Sequence, residues 1–391
     1  MGQTSPSTKV GPTDVRIGVL LSIIAVAVLS VWNAASLVEG NNFKYILYAL
    51  PPLIWIVFAV VLRGKIVIER SAVYALMVYL FVSAISLFDI GEVDWYSARD
   101  LLIICSYIAV FALFFRSPRF VADALLGFCV IATVTVLLVR GVSSDMSITH
   151  PQGHQLLESV VSFPAGLLVL YYVSERQWGR GLITLVLFVL AFKRIAFVGV
   201  GAVLCLELCM YIFLRRPVGR LMTTAAVVAI SIVALFSLQI FDFLTVLLND
   251  SDASANSVSL GRAEMAAELW RQIDAADVSH VLTGFGPGAA DRHLFVAGFD
   301  LNPHNDWLKI LFDYGMVGFV GLHVVLRLLL PNTSLGNKFY LFTAILMTTG
   351  NPLIYTYYFV SLFLIVRIPP RLPAASPGFR DAAVGARIPN A

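Results

Sequence analysis

The chain has 391 residues, of which 59% are hydrophobic and 13% charged, with a formal net charge of +3. Soluble domains average about 45–50% apolar and about 25% charged, so a water-soluble globule is excluded and an integral membrane protein is expected. The small positive balance does not point to nucleic acid, because the cations are sorted along the chain rather than gathered on one face.

Twelve apolar runs have the character of membrane helices, which need about 20 apolar residues, or fewer inside a bundle. They lie at roughly 17–38, 43–62, 71–89, 98–115, 119–139, 156–174, 180–192, 195–214, 219–241, 305–328, 337–349 and 352–367. The first follows Lys9 and Arg16, as a signal peptide would. It continues to about Leu37 without a small-residue cleavage site, which predicts an uncleaved helix.

With the N-terminus in the cytoplasm, the even-numbered crossings return the chain to that side. Cytoplasmic segments then hold Lys9, Arg16, Arg63, Lys65, Arg70, Arg116, Arg119, Arg176, Arg180, Arg215, Arg216, Arg220, Arg327, Lys338, Arg367, Arg371, Arg380 and Arg387, eighteen of 27 Lys and Arg. The short external connections hold Lys44, Arg99, Arg140 and one anomalous pair, Lys193-Arg194. This sorting obeys the positive-inside rule apart from that pair and predicts an all-α polytopic protein with both ends cytoplasmic. The expected plan is a tail over 1–16, nine helices over 17–241, a large external loop over 242–304, three helices over 305–367 and a disordered tail over 368–391. Cys105, Cys129, Cys205 and Cys209 all lie in apolar runs and are expected to be free packing residues.

A loop of this length usually carries function. After an acidic turn at Asn249-Asp250-Ser251-Asp252, residues 259–274 have helical spacing. Ser259 or Gly261 can cap that helix, and Glu264 suits its first turn. Ala266, Leu269 and Ile273 form a stripe, predicting a helix on the membrane surface with Arg262 inward and Arg271 in water. Arg262 is then either neutralised by Asp242 or Asp250 or kept for a ligand. An earlier external loop, about 140–155, carries His150 and His154.

Three features could carry chemistry. His304 follows Pro303 at the mouth of an apolar helix, and a neutral imidazole is well matched to take a proton from a hydroxyl. Leu308, Leu311, Gly315 and Gly318 share its side, where the glycines allow close approach of a neighbouring helix. Lys309 and Asp313, four residues apart, are expected to form a local ion pair. Lys193 and Arg194 either snorkel to headgroups or face a cavity and an anion. For the latter, a guanidinium suits phosphate oxygens best, which favours Arg194. The run Gly284-Phe285-Gly286-Pro287-Gly288 lacks the strand and capped helix of a dinucleotide loop, so a turn that brings backbone amides toward the site is expected. His280 and His293 are expected at the surface and His323 as a hydrogen-bonded core residue. No metal motif is present, and no metal or cofactor is expected.

The ordered set Lys193-Arg194, Gly261-Arg262, Gly284-Phe285-Gly286, His304-Asn305-Asp306-Trp307-Leu308 and Gly315-Met316-Val317-Gly318 resembles the O-antigen ligase and O-antigen/exopolysaccharide polymerase superfamily of bacterial inner membranes. The resemblance covers about 190–320; the first half matches only in hydropathy. Lys193 stands where the family often has a small hydroxyl residue. The resemblance implies a metal-independent glycosyltransferase of GT-C-type architecture, acting at the periplasmic face on a glycan carried by undecaprenyl pyrophosphate. It implies that Arg194 and Arg262 hold the pyrophosphate and His304 activates the acceptor hydroxyl, with Lys193 and Asn305 as neighbouring substrate-binding residues. The wording around His304 points to a polymerase of lipid-linked repeat units. A ligase acting on lipid A-core or another acceptor is the alternative, and a lipid-linked glycan transporter the alternative of another class. A transporter would show inverted repeats with broken helices, and no corresponding pair is found. The resemblance allows a chain-length regulator as a further partner.

Overall fold

The computed structural model describes residues 10–37, 47–88, 94–140, 161–191, 194–215, 219–236, 262–299 and 304–370. His150, His154, Lys193, the acidic turn and both expected tail ends, 1–9 and 371–391, lie outside them. The described residues are almost wholly helical. In chain order the helices are α1 (Pro12–Leu37), α2 (Leu50–Val61), α3 (Arg70–Phe88), α4 (Trp95–Phe111), α5 (Phe120–Arg140), α6 (Ser162–Ser174), α7 (Trp178–Leu190), α8 (Arg194–Leu214) and α9 (Arg220–Leu235). Then come α10 (Arg262–Ala275), α11 (Val278–Thr283), α12 (Ala289–Val296), α13 (Asp306–Leu329), α14 (Ser334–Thr349) and α15 (Thr356–Val366), with a 3-10 turn at Pro352–Ile354.

Each of the twelve apolar runs carries a helix, and α10 to α12 are additional elements of the long loop. The ends follow local chemistry. Asp94 caps α4 by accepting from Ser97 N, and Thr333 caps α14 by accepting from Gly336 N. Pro51 and Pro52 occupy the first turn of α2, where a missing N–H costs nothing.

Five described helices are long and apolar enough to cross a bilayer: Pro12–Asn33, Arg70–Phe88, Phe120–Leu138, Ile195–Phe213 and Asp306–Leu329. In the last, 78% of the apolar window is buried, against 28–44% in the other four. So α13 is an interior helix, while α1, α3, α5 and α8 keep broad apolar faces open, as lipid-facing helices do. Around α13 the interior is aromatic. Trp307 is fully buried, stacks on His323 and donates from Nε1 to Ala344 O at 3.1 Å. Tyr107 of α4 stacks on Phe359 of α15 at 4.0 Å. His323 meets Ser231 Oγ at 3.1 Å, which makes it the hydrogen-bonded core residue expected.

Helix α13 is broken. Gly315 has φ 63° and ψ −164°, so the helix kinks there. The break frees carbonyls upstream, and the turn after α11 takes them: Phe285 N donates to Phe312 O at 2.9 Å and Gly286 N to Asp313 O at 2.8 Å. Gly284, at φ 80°, lies against the Asp313–Tyr314 peptide, and Gly315 lies against the Leu282 carbonyl and Gly284 N. A Cβ on either glycine would collide with backbone. The close approach foreseen at Gly315 is made by the last turn of α11, a helix of the long loop, together with the turn that follows it. At Gly318 the space is filled by the Tyr314 side chain of the same kinked helix. From the other side α3 braces the kink, with Tyr79 Oη and Tyr314 Oη 2.8 Å apart and Ser86 Oγ donating to Thr283 O.

Gly315→Ala must put an L-residue in a left-handed conformation, a cost of about 1–2 kcal/mol before any collision. The variant is expected to melt well below the parent in detergent. Gly179→Ala and Gly201→Ala, which meet open space within helices, should melt level with it or slightly above. Equal melting of all three would contradict the interlock.

Candidate functional site

His304 sits immediately before α13 and is half-buried. Asn305 is the N-cap: its Oδ1 accepts from Leu308 N at 3.1 Å, and its Nδ2 donates to Ala234 O at 2.9 Å. The cap thus ties the mouth of α13 to the end of α9. Asp306 is fully buried, and its Oδ2 accepts from Leu353 N at 2.9 Å. Asn351, 2% exposed, donates from Nδ2 to His304 Nδ1 at 3.4 Å. The turn between α14 and α15 therefore closes over the mouth of α13 through two side-chain links.

One turn further into α13 lies a buried charge cluster. Lys309 Nζ is 2.8 Å from Asp100, 3.3 Å from Asp291 and 3.0 Å from Asp313. The Lys309–Asp313 pair was expected; the two other carboxylates come from α4 and α12. Arg99 bridges the same two, at 2.8 Å to Asp100 and in direct contact with Asp291. Asp313 also accepts from Ala290 N at 2.7 Å and Gly288 N at 3.2 Å. Three carboxylates and two cations are thus locked between two apolar helices and one loop helix. Taking such charges out of water costs several kcal/mol each, offset only by mutual pairing and further hydrogen bonds.

The rest of the loop packs onto this core. Helix α10 buries Met265 and Leu269 against the protein, and Trp270 Nε1 donates to Leu235 O at 3.1 Å. The stripe of Ala266, Leu269 and Ile273 thus faces the protein body, while Arg271 is exposed as expected. His293 and Glu268 join α12 to α10 at 2.8 Å, so His293 is only partly a surface residue. Burial, reinforced by Arg271, holds the His293 imidazole below its ordinary value. His280 stays at the loop surface, paired with Asp277 at 2.7 Å. Between α9, α10, α11 and α13 lies an apolar cavity of about 380 Å³ lined by Leu235, Phe236, Trp270, Ile273, Leu311 and Phe319, among others.

Arg194 and Arg262 are the first residues of α8 and α10. Each therefore stands at the positive end of a helix dipole. Their side chains, and Lys193, lie outside the described residues. The four cysteines are free.

Residues 181–322 match a family model described as O-Antigen ligase. The match supports the resemblance to the O-antigen ligase and polymerase superfamily that the motifs carry, and the matched segment contains Lys193, Arg194, Arg262, His304 and Asn305. It also contains the loop turn, Gly315 and three of the five clustered charges. No curated protein and no solved structure matches the chain at the significance required.

Asp100, Asp291 and Asn351 were not singled out from sequence, and Arg99 and Asp306, though noted as an external cation and as part of the motif after His304, were given no role. An acidic residue entering an apolar run, as Asp100 and Asp306 do, is the signal that could have flagged two of them. Asp291 is one of nine acidic residues in the loop and carries no such mark. Within the matched segment, Lys309→Met should leave the buried Asp313 carboxylate without its cation, with Asp100 and Asp291 keeping Arg99, and cost about 3–5 kcal/mol of stability. Lys309→Met/Asp313→Asn should recover part of that. Thermal unfolding in detergent measures both, and a Lys309→Met variant as stable as the parent would remove the cluster from the energetics.

Proposed function

We propose that the protein is a glycosyltransferase of cell-surface polysaccharide assembly, polymerising repeat units carried on undecaprenyl pyrophosphate. The observation that carries the reading is the placement of His304 at the capped mouth of the interior helix, within the O-antigen ligase match that also spans Arg194 and Arg262. His304 accepts the proton of the acceptor hydroxyl as that oxygen attacks the anomeric carbon. The carbon–pyrophosphate bond breaks, and the lipid pyrophosphate leaves with the bonding pair, so the anomeric centre inverts.

Arg194 and Arg262 hold the pyrophosphate, where charge grows on the leaving group. Their positions at helix starts support this, because helix N-termini favour anions. Lys193 and Asn305 flank the substrate. The protein provides the base and the cations, and the reaction needs no metal. The apolar cavity beside Leu235 and Leu311 has the character to take part of a lipid tail, and Ala234, one residue away, accepts from the Asn305 cap.

The membrane arrangement belongs to the same proposal: twelve crossings in a GT-C-type architecture, both termini cytoplasmic, and residues 242–304 on the periplasmic side of a bacterial inner membrane. A second reading, transfer of a finished glycan to lipid A-core or another acceptor, is favoured by the description of the matched family. Purified protein given lipid-linked repeats alone separates the two. A polymerase makes a ladder, whereas a ligase makes nothing until a second acceptor is added.

His304→Ala is expected to insert and fold but lose product. Arg194→Ala and Arg262→Ala are each expected to weaken use of the lipid-pyrophosphate donor by about tenfold or more, as loss of a charge-assisted contact does. Full turnover by His304→Ala would remove the base, and unchanged donor kinetics would return both arginines to structural roles.

A further inference from the structure

Asn351 is a residue whose placement the packing alone does not explain. It has φ 50° and ψ 43°, a left-handed conformation uncommon outside glycine, although asparagine tolerates it better than most. It is 2% exposed. Its amide spans two situations. Nδ2 donates to His304 Nδ1 at 3.4 Å, while Oδ1 is buried with no hydrogen-bond partner among the described residues. A buried unpartnered carbonyl is costly to maintain, and such atoms gather where function demands them. The turn that carries it is fixed to the start of α13 by the Leu353 N to Asp306 Oδ2 bond, so Asn351 cannot drift from the histidine without breaking that link.

We propose that Asn351 is the positioning residue for His304 and selects its tautomer. The inference rests on the reading of His304 as the base. With Nδ2 donating, Nδ1 is an acceptor and the ring proton of neutral His304 lies on Nε2. Turning the amide by 180° presents Oδ1 instead, and an Nδ1–H can donate to it. The ring proton is then on Nδ1, and Nε2 carries the basic lone pair. This second orientation pairs Oδ1 with the ring N–H and puts Nδ2 in the place Oδ1 held. It is the competent one: Nε2 takes the acceptor hydroxyl proton, the hydroxyl oxygen bonds to the anomeric carbon, and the pyrophosphate leaves with the electron pair. The imidazolium that results keeps its Nδ1–H on Oδ1, then releases the Nε2 proton to solvent. A fixed second partner that sets which ring nitrogen is protonated is how histidine bases are generally oriented.

The test uses the full-length purified protein with a lipid-pyrophosphate-linked repeat as donor. Asn351→Gly keeps the left-handed turn, because glycine adopts it freely, and deletes only the amide. Asn351→Asp keeps an acceptor beside Nδ1 and a residue that tolerates the turn. Asn351→Gly is expected to melt close to the parent yet lose kcat on the order of 10²-fold, with donor KM nearly unchanged, as a misoriented catalytic group does. Asn351→Asp is expected to restore most of that kcat. Turnover of Asn351→Gly within about twofold of the parent, with His304→Ala inactive, would overturn the inference and leave the base assignment standing. So would equal loss of kcat and of thermal stability in both variants, which would make Asn351 a purely structural turn residue. Retained activity in His304→Ala would instead strike the base reading itself.

Discussion

The break in α13 depends on a partner from outside the helix. Interrupting a helix inside an apolar body strips carbonyls of their donors, and an unpaired buried carbonyl costs on the order of 1–3 kcal/mol. Here Phe285 N and Gly286 N supply the donors to Phe312 O and Asp313 O, and two glycines let the backbones approach without a Cβ between them. The ion cluster of Lys309 and Arg99 with Asp100, Asp291 and Asp313 then ties the same loop to α4 and α13 by charge. Hydrogen bonds, glycine geometry and charge all join the second half of the long loop to the interior helix.

That junction decides what the mouth of α13 can be. The helix is held below His304 by the cluster, beside it by the Asn305 bond to α9, and above it by the turn carrying Asn351 and Leu353. A general base has to sit within a fraction of an ångström of its working place, and sites on rigid elements achieve that better than sites on loops. His304 precedes the helix but is surrounded by fixed elements. The O-antigen ligase match over 181–322 runs across α8, the loop and most of α13, and takes in Asn305, Lys309, Asp291 and Asp313, while Asp100, Asn351 and Leu353 lie outside it.

Much of the fold was legible because it is written in local composition. The helices in the twelve apolar runs and the loop helix from Arg262 to Ala275 follow from hydropathy and period. His304 and Arg194 could be picked out because each is a polar residue at an apolar border, and Arg262 because helical spacing turns it to the inward side of the loop helix. The partnerships could not. Asp291 lies 192 residues from Arg99, and nothing in either neighbourhood marks the pair. Lys309 and Asp313 could be paired from their spacing, but their full environment is a tertiary fact. The glycine run at 284–288 showed a turn, though its target is the kink at Gly315 rather than the approach to His304. The expected surface stripe of α10 faces protein because Trp270 and Leu269 find partners there.

The most direct test of the junction is a double-mutant cycle between Asp291 of the loop and Lys309 of the interior helix, read as unfolding free energy in detergent. A direct charge contact in a buried cluster predicts a coupling of about 1–3 kcal/mol, with the double variant less damaged than the two single losses summed. Additivity within about 0.5 kcal/mol would mean the two residues do not sense each other, and the loop would not be locked to the helix by charge.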